Sequence, residues 1–348
     1  MSKALPPEAP AELLAEAREL AARAALPALA QGVVFGTAGW TDPSLIKCHR
    51  FYPRGKSSPE DRLRFYASQF DLVEVDATYY TLLDPQTVAR WVEWTPEHFR
   101  FDVKSHPVLT GHPVDIARAP GDLAPLLREI AGEKPRVYPK DLPLEIRGEL
   151  VRRFLAQLEP LRRARRLGCV MLQFPPWFHA TRGNARYIEA LRGEVGDLPL
   201  SVEFRNPSWL QSERRSRVFE LLRDQELSYV IVDEPDVPLG GVPPMALVTN
   251  PELALFRLHG HNSAGWRRGS SVWERFNYLY SPAELQRWLP TVRDVRERAE
   301  RVHVVFNNCV RDYAVLGAKG LAALLQHGAL TRSSTEAEPS TDAAGSKP

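Results

Sequence analysis

Eight short stretches of the chain are rich in β-branched and aromatic residues and stop at polar or turn residues. They are Val33 to Thr37, Leu72 to Asp76, Phe99 to Lys104, Cys169 to Phe174, Leu200 to Arg205, Tyr229 to Asp233, Leu255 to His259 and Val302 to Asn307. Most gaps between them show helical periodicity and start signals. Ser58 opens a helix to Phe70, Pro85 to Glu93 follows, and Ser281, Pro282 and Glu284 read as a capped start for a helix reaching Ala299. Strand and helix alternate, and strand-end residues recur: Glu74 to Lys104, Gln173 to Glu203 and Glu203 to Asp233 are each 30 residues, about one βαβ step. Eight such units predict an α/β fold, a single (β/α)8 TIM-type barrel. A doubly wound sheet is the alternative, but the first turn reads Gly36-Thr37-Ala38-Gly39-Trp40 and carries no GxGxxG; no GxxxxGK[ST] occurs either.

The flanks divide the chain into residues 1–31, 32–328 and 329–348. In the first part, Ala11 to Leu26 places Leu13, Leu14, Ala17, Leu20, Ala21 and Ala24 on one stripe, which predicts a docked amphipathic helix. The last part is expected to be a disordered tail, because Thr331 to Pro348 has no large apolar residue to offset the entropy of ordering. Two strand intervals are long: Lys104 to Gln173 spans 69 residues and His259 to Asn307 spans 48. In a barrel such excess lies on the C-terminal face, so Ser105 to Arg147 and Gly260 to Tyr280 are expected insertions over a site there.

The alternation inside the strands predicts where polar groups point. Val73 and Val75 oppose Glu74 and Asp76, and aromatic residues and Val103 oppose Arg100, Asp102 and Lys104. Leu172 and Phe174 oppose Gln173, Val202 and Phe204 oppose Glu203 and Arg205, Phe256 and Leu258 oppose Arg257 and His259, and Val304 and Phe306 oppose Asn307. Helices must cover the apolar parity, so the polar parity faces the barrel interior. The expected site is therefore a polar mouth built from Glu74, Asp76, Lys104, Gln173, Glu203, Arg205, Asp233, Arg257, His259 and Asn307. Any single buried Arg and Glu is more often a satisfied structural pair. So many convergent polar groups favour a ligand site, since an aliphatic filling would be at least as stable.

Glu74, Lys104, Glu203 and His259 are the candidates for chemistry, and Trp40, Tyr79 and Trp209 are added as substrate contacts. Carboxylates beside fixed cations suit metal-independent acid/base chemistry on a small polar, anionic or sugar-like substrate, so no cofactor is expected. The alternative is a divalent metal on Glu203, Asp233 and His259 cleaving a phosphodiester, and Lys104, Arg205 and Arg257 count against a cation. A third reading is a ligand-binding or sensing module without turnover. Lys104 as a Schiff-base lysine is opposed by neighbouring acids. His259-Gly260-His261 reads as one inward and one loop histidine. The run Arg152, Arg153, Arg162, Arg163, Arg165 and Arg166 reads first as a solvated helix face, and a nucleic-acid partner would rest on it.

Composition agrees with a globular domain: 348 residues, 44% hydrophobic, and 45 Lys and Arg against 43 Asp and Glu, a balance that gives no field for a polyanion. Cys48, Cys169 and Cys309 form no CxxC pair, no signal peptide or membrane span fits, and the expected setting is the cytoplasm with a small-molecule partner.

Several short motifs in register then become recognisable: Gly36-Thr37-Ala38-Gly39-Trp40, Phe51-Tyr52-Pro53, Thr78-Tyr79-Tyr80, Gln173-Phe174-Pro175-Pro176, Val202-Glu203-Phe204-Arg205 with Pro207-Ser208-Trp209, Arg257-Leu258-His259-Gly260 and Phe306-Asn307-Asn308. From about Val33 to Leu325 the chain resembles the YecE-like family, known as domain of unknown function 72. The resemblance implies a TIM-type barrel and brings no reaction with it. Asp76 stands where the family usually has Asn, Ala38 where Ser is common and Gly317 where Asn is frequent. A longer insertion before Gln173 and the N-terminal helix also set the chain apart.

Overall fold

The computed structural model describes residues 5–26, 32–235, 241–266 and 271–335, with side chains described up to residue 326. Eight β-rich segments form the strands β1 Val33–Ala38, β2 Leu72–Val75, β3 Arg100–Lys104, β4 Leu167–Gln173, β5 Leu200–Glu203, β6 Ser228–Asp233, β7 Leu253–Leu258 and β8 Arg301–Phe306. They pair in parallel throughout, in chain order, and β8 closes on β1 to make one barrel. All eight segments expected from the sequence are barrel strands, displaced by no more than two residues at any end.

Helix α1, Ala11–Ala22, precedes the barrel, and α2 Pro59–Ala67, α3 Pro85–Glu93, α4 Leu144–Arg163, α5 Arg182–Val195, α6 Ser212–Asp224, α7 Pro282–Arg298 and α8 Tyr313–Thr335 follow strands. Their starts carry the local signals that specify them. Ser58 caps α2 through the Asp61 amide, and Ser281 and Glu284 form a reciprocal capping box on α7. The outward parity of the strands meets these helices: Phe101 stacks on Trp91 of α3 and Phe256 meets Trp288 of α7 edge-on. One connection differs from the rest. After β6 the described residues 241–252 form no helix.

The stripe on α1 is buried as expected: Leu14, Ala17 and Ala21 join Val310, Tyr313 and Leu316 at the start of α8, and Leu20 reaches the main core. The helix ends at Ala22 rather than Leu26, where the Arg23 and Ala24 amides tighten onto Leu20 and Ala21 ahead of Pro27 in the sequence. At the other end α8 continues to Thr335, into the first residues of the expected tail, and 336–348 lie outside the described residues. The long interval after β3 holds a short helix Pro107–Thr110, a two-stranded ribbon (Val114–Asp115 with Arg136–Val137) and the helix Ala124–Ala131 before α4 begins.

Gly36 marks the tightest approach within the barrel wall. A Cβ there would lie 2.1 Å from the carbonyl oxygen of Leu72, a backbone atom that cannot swing aside. Gly36→Ala is expected to push β1 from β2 and lower stability by about 1–3 kcal/mol, read from the midpoint of urea denaturation. An unchanged midpoint would show that the wall yields more easily than close packing allows.

Candidate functional site

The inward residues at the C-terminal ends of the strands form one connected polar network. Arg257, the fifth residue of β7, grips Glu74 of β2 with two bonds, Nε to Oε2 at 2.7 Å and Nη2 to Oε1 at 2.6 Å. Its remaining nitrogen, Nη1, donates to Glu203, the last residue of β5. Glu203 is shared, because Arg205, two residues further on, pairs with its other oxygen and also donates to Glu234 just beyond β6. Glu74, Glu203 and Arg257 are shut off from solvent, so each charge is tolerable only because its partners are in place.

Arg205 Nη2 lies 3.0 Å from His259 Nε2. A guanidinium can only donate, so Nε2 accepts and the ring proton sits on Nδ1. The Asn307 amide lies 2.8 Å from Nδ1, and this tautomer requires it to turn its oxygen to the ring. Burial, with Arg205, Arg257 and Lys104 close by, pushes His259 well below its usual pKa, so the imidazole is neutral.

The two central carboxyls are driven apart. Burial, with Asp76 adding repulsion, raises Glu74 to about 7 against the pull of Arg257. Burial would raise Glu203 as well, but Arg205 and Arg257 together hold it below the usual carboxylate value. Glu234 is raised by burial. The two carboxyls thus lie on opposite sides of their ordinary value, Glu203 favouring its ionised form and Glu74 its protonated form.

Lys104 ends β3 at the edge of this network. Its Nζ lies 3.3 Å from Asp76 and 4.7 Å from the centre of the Tyr79 ring, and it retains some solvent access. Tyr79 meets His112 edge-on at 5.4 Å, and His112 meets Trp177 at 5.7 Å. Burial and the nearby Lys104 and Arg205 lower His112 to about 4, so it too is neutral. Across the mouth the Arg205 guanidinium stacks over Trp266 at 5.6 Å. Gln173, the last residue of β4, lies in register beside Glu203. Glu74, Asp76, Lys104, Gln173, Glu203, Arg205, Arg257, His259 and Asn307 therefore gather at the C-terminal ends of the strands, and Tyr79, from the segment after β2, joins them through Lys104.

Three expected contacts belong elsewhere. Asp233 pairs with Leu258 in the sheet register while Val232 pairs with Arg257, so Asp233 faces outward and Glu234 is the acid that enters the mouth. This also separates it from Glu203 and His259, so the alternative metal triad is not assembled. Among the described residues no group of three or more His, Cys, Asp and Glu is placed to hold a metal ion. Trp40 is buried edge-on against Trp91, on the helix side of the wall, at 5.4 Å. Trp209 is sandwiched in outward aromatic packing, 4.5 Å from Phe204, with its indole N–H donating to the Phe178 carbonyl at 2.6 Å. Both are core residues, because the turns after β1 and β5 fold back over the helices rather than the opening.

The Arg run on α4 is largely neutralised on the surface: Arg152 and Arg153 pair with Glu149, Arg153 also with Asp122, Arg162 with Asp197 and Arg163 with Glu159. Arg166 is buried and donates to the Pro96 carbonyl. Beneath the mouth lies a pair that the strand patterns did not single out, Asp102 of β3 and His303 of β8, 3.0 Å apart across the lumen. Gly168 makes room for it, since a Cβ there would come within 2.2 Å of Asp102 Oδ1.

The profile of a family described as protein of unknown function DUF72 matches residues 34–342. The UPF0759 protein YunF of Bacillus subtilis is 29% identical over 280 residues, 79% of this chain and 88% of that protein. The UPF0759 protein YecE of Escherichia coli O157:H7 is 26% identical over 204 residues, 58% of this chain and 59% of that protein. Crystal structures of DUF72 family proteins superpose on the barrel. One from Enterococcus faecalis V583 has a TM-score of 0.68 at 28% identity, over 84% of this chain and 95% of that one. One from Thermotoga maritima MSB8 has a TM-score of 0.66 at 30% identity, over 84% and 99%.

Proposed function

From the premise that this chain belongs to the DUF72 family, whose description carries no reaction, we propose on the site's own chemistry that the barrel mouth is an enzyme active site moving a proton on a small polar substrate that bears an anionic group. The observation that carries this reading is that two fully buried carboxyls share one arginine in surroundings that push them opposite ways, Glu74 up to about 7 and Glu203 down. A structural lattice needs no group that exchanges protons near neutrality. Glu74 is the proton-exchanging group, Glu203 fixes the two arginines, and neutral His259, held between Arg205 and Asn307 and packed beside Trp266 and Phe276, keeps Arg205 in place. Lys104 is the anion contact, since its charge is shared with one partly exposed carboxylate rather than locked between two buried ones. Tyr79, Trp177 and Trp266 supply flat apolar walls of the kind that pack on a sugar ring or another planar molecule.

The test begins with the molecule the protein itself selects. Small molecules released from the purified chain by denaturation are identified by mass spectrometry, and the anionic one is titrated back by calorimetry. Lys104→Met is expected to weaken its binding about thirty-fold or more, the loss of one desolvated charge contact. Glu74→Gln is expected to keep binding within about three-fold while slowing any conversion by about 100-fold or more. Binding that survives Lys104→Met intact would remove the anion contact from this reading, and conversion that survives Glu74→Gln would remove the proton transfer.

A further inference from the structure

The segment after β7 brings a further arginine to the mouth. The short helix Val272–Arg275 ends on Arg275, whose guanidinium carbon lies 5.7 Å from the centre of the Trp266 ring, the ring on which Arg205 stacks at 5.6 Å. Phe276, the next residue, packs on His259 with ring centres 5.9 Å apart, so Arg275 stands beside the polar network. It differs from the other arginines there in having no acid. Arg257 and Arg205 are each held between two carboxylates, whereas Arg275 makes no ion pair and donates no hydrogen bond among the described residues. Its Nε is buried without an acceptor, and so is the indole N–H of Trp266. Two orphan donors at one place are a cost that a stable fold ordinarily avoids. The charge is equally unfavourable, since burial and the neighbouring Arg205 both work against it.

The backbone holds this arginine where it is. Trp273, two residues before it, packs against the apolar cluster of α1 and the start of α8, and the Asn277 amide, two residues after it, donates to the Pro7 carbonyl at 3.0 Å. The adjacent Glu274 is turned back to the start of the short helix, where its carboxylate accepts from the Ser271 amide at 2.6 Å. We propose that Arg275 is a second anion contact of the mouth, on the Trp266 side and away from Lys104, and that the substrate carries two oxyanion groups, phosphate or carboxylate, one toward each cation. This deepens the reading of the mouth as an active site with Lys104 as its anion contact, and rests on it. A guanidinium can only donate, so the partner it calls for is an acceptor, and an oxyanion supplies acceptor atoms and countercharge together. A neutral hydroxyl would satisfy an N–H but leave the charge uncompensated beside Arg205.

Inorganic phosphate and acetate are the probes, each titrated to about 50 mM into the full chain labelled with nitrogen-15, a range that captures millimolar affinity. The Nε–H resonance of Arg275 and the indole N–H resonance of Trp266 are followed by NMR and assigned by their loss in Arg275→Lys and Trp266→Phe. At least one of the two oxyanions is expected to shift both resonances with a common dissociation constant of about 10 mM or tighter, and the tighter one names the substrate's group. Sodium chloride at the same ionic strength is expected to leave both in place. Arg275→Gln is expected to weaken the response of Trp266 by about ten-fold or more, and Lys104→Met to leave the affinity within about two-fold, because the readout lies at the other contact. The proposal is overturned if neither oxyanion moves these resonances, if chloride moves them equally, if Trp266 responds undiminished in Arg275→Gln, or if the response is lost in Lys104→Met. Silence at Arg275 leaves the Lys104→Met and Glu74→Gln tests of the active-site reading untouched, so the two fail separately.

Discussion

Arg257→Met is expected to lower stability by about 3 kcal/mol at pH 9, where the wild-type Glu74 is ionised, the cost of leaving that buried carboxyl without its cation. Met nearly preserves the volume, so the loss reports charge rather than a cavity. Glu203 retains Arg205, whereas Glu74 loses the side chain that holds both of its oxygens. The double variant Glu74→Leu with Arg257→Met removes the stranded charge together with its partner, and an apolar pair of similar size is expected to recover most of the loss. Urea denaturation of the wild type, the single variant and the double variant closes the comparison. A single-variant loss below about 1 kcal/mol, the range of surface pairs, would mean that water or another cation reaches Glu74.

The second large effect is a pH dependence of folding carried by Glu74. Its carboxyl is raised in the folded chain from 4.5 to about 7, so the folded state binds this proton more tightly than the unfolded state does. The stabilising contribution is complete below pH 4.5 and is lost as the pH rises to about 7. At 1.36 kcal/mol per pH unit the interval amounts to about 3 kcal/mol. Glu203 acts in the opposite direction and below this window, since its folded pKa is depressed and its contribution is lost only as pH falls through that lower value. Glu74→Gln cannot ionise. The stability of the wild type relative to this variant is therefore expected to fall by about 3 kcal/mol between pH 4.5 and 7, measured by denaturation at fixed ionic strength. A gap that stays constant across that interval would show that Glu74 titrates normally.

Most of the barrel could be read before any coordinates because its strands are two-faced. In β2, β5 and β7 an apolar side chain on one parity must meet a helix, which leaves Glu74, Glu203 and Arg257 nowhere to go but inward. β6 has no such contrast. Tyr229-Val230-Ile231-Val232 is apolar on both parities, so the sequence offers nothing to decide which of the adjacent acids Asp233 and Glu234 turns inward, and the 30-residue spacing pointed to the wrong one. Trp40 and Trp209 were misplaced for a related reason. A residue just after a strand can fold over the mouth or back over a helix, and that choice depends on the packing of Trp91 and Phe178, far off in sequence. His112, Trp177 and Trp266 lie in connecting segments, where no periodicity exists to read. The pair Asp102 and His303 escaped because its members come from strands that are 201 residues apart in the chain and meet across the lumen.

That pair has a bearing on traffic. Asp102 and His303 are fully packed, with Cys169, Ser201 and Leu255 buried around the same level, so among the described residues the lumen is packed shut below Glu74. Anything held against Glu74 arrives and departs by one door. Whatever occupies the mouth must leave before another molecule can enter, past the side chains of His112, Trp177 and Trp266 at its border. In a barrel with a single entrance, the rate of exchange is a property of the doorway and not of the chamber.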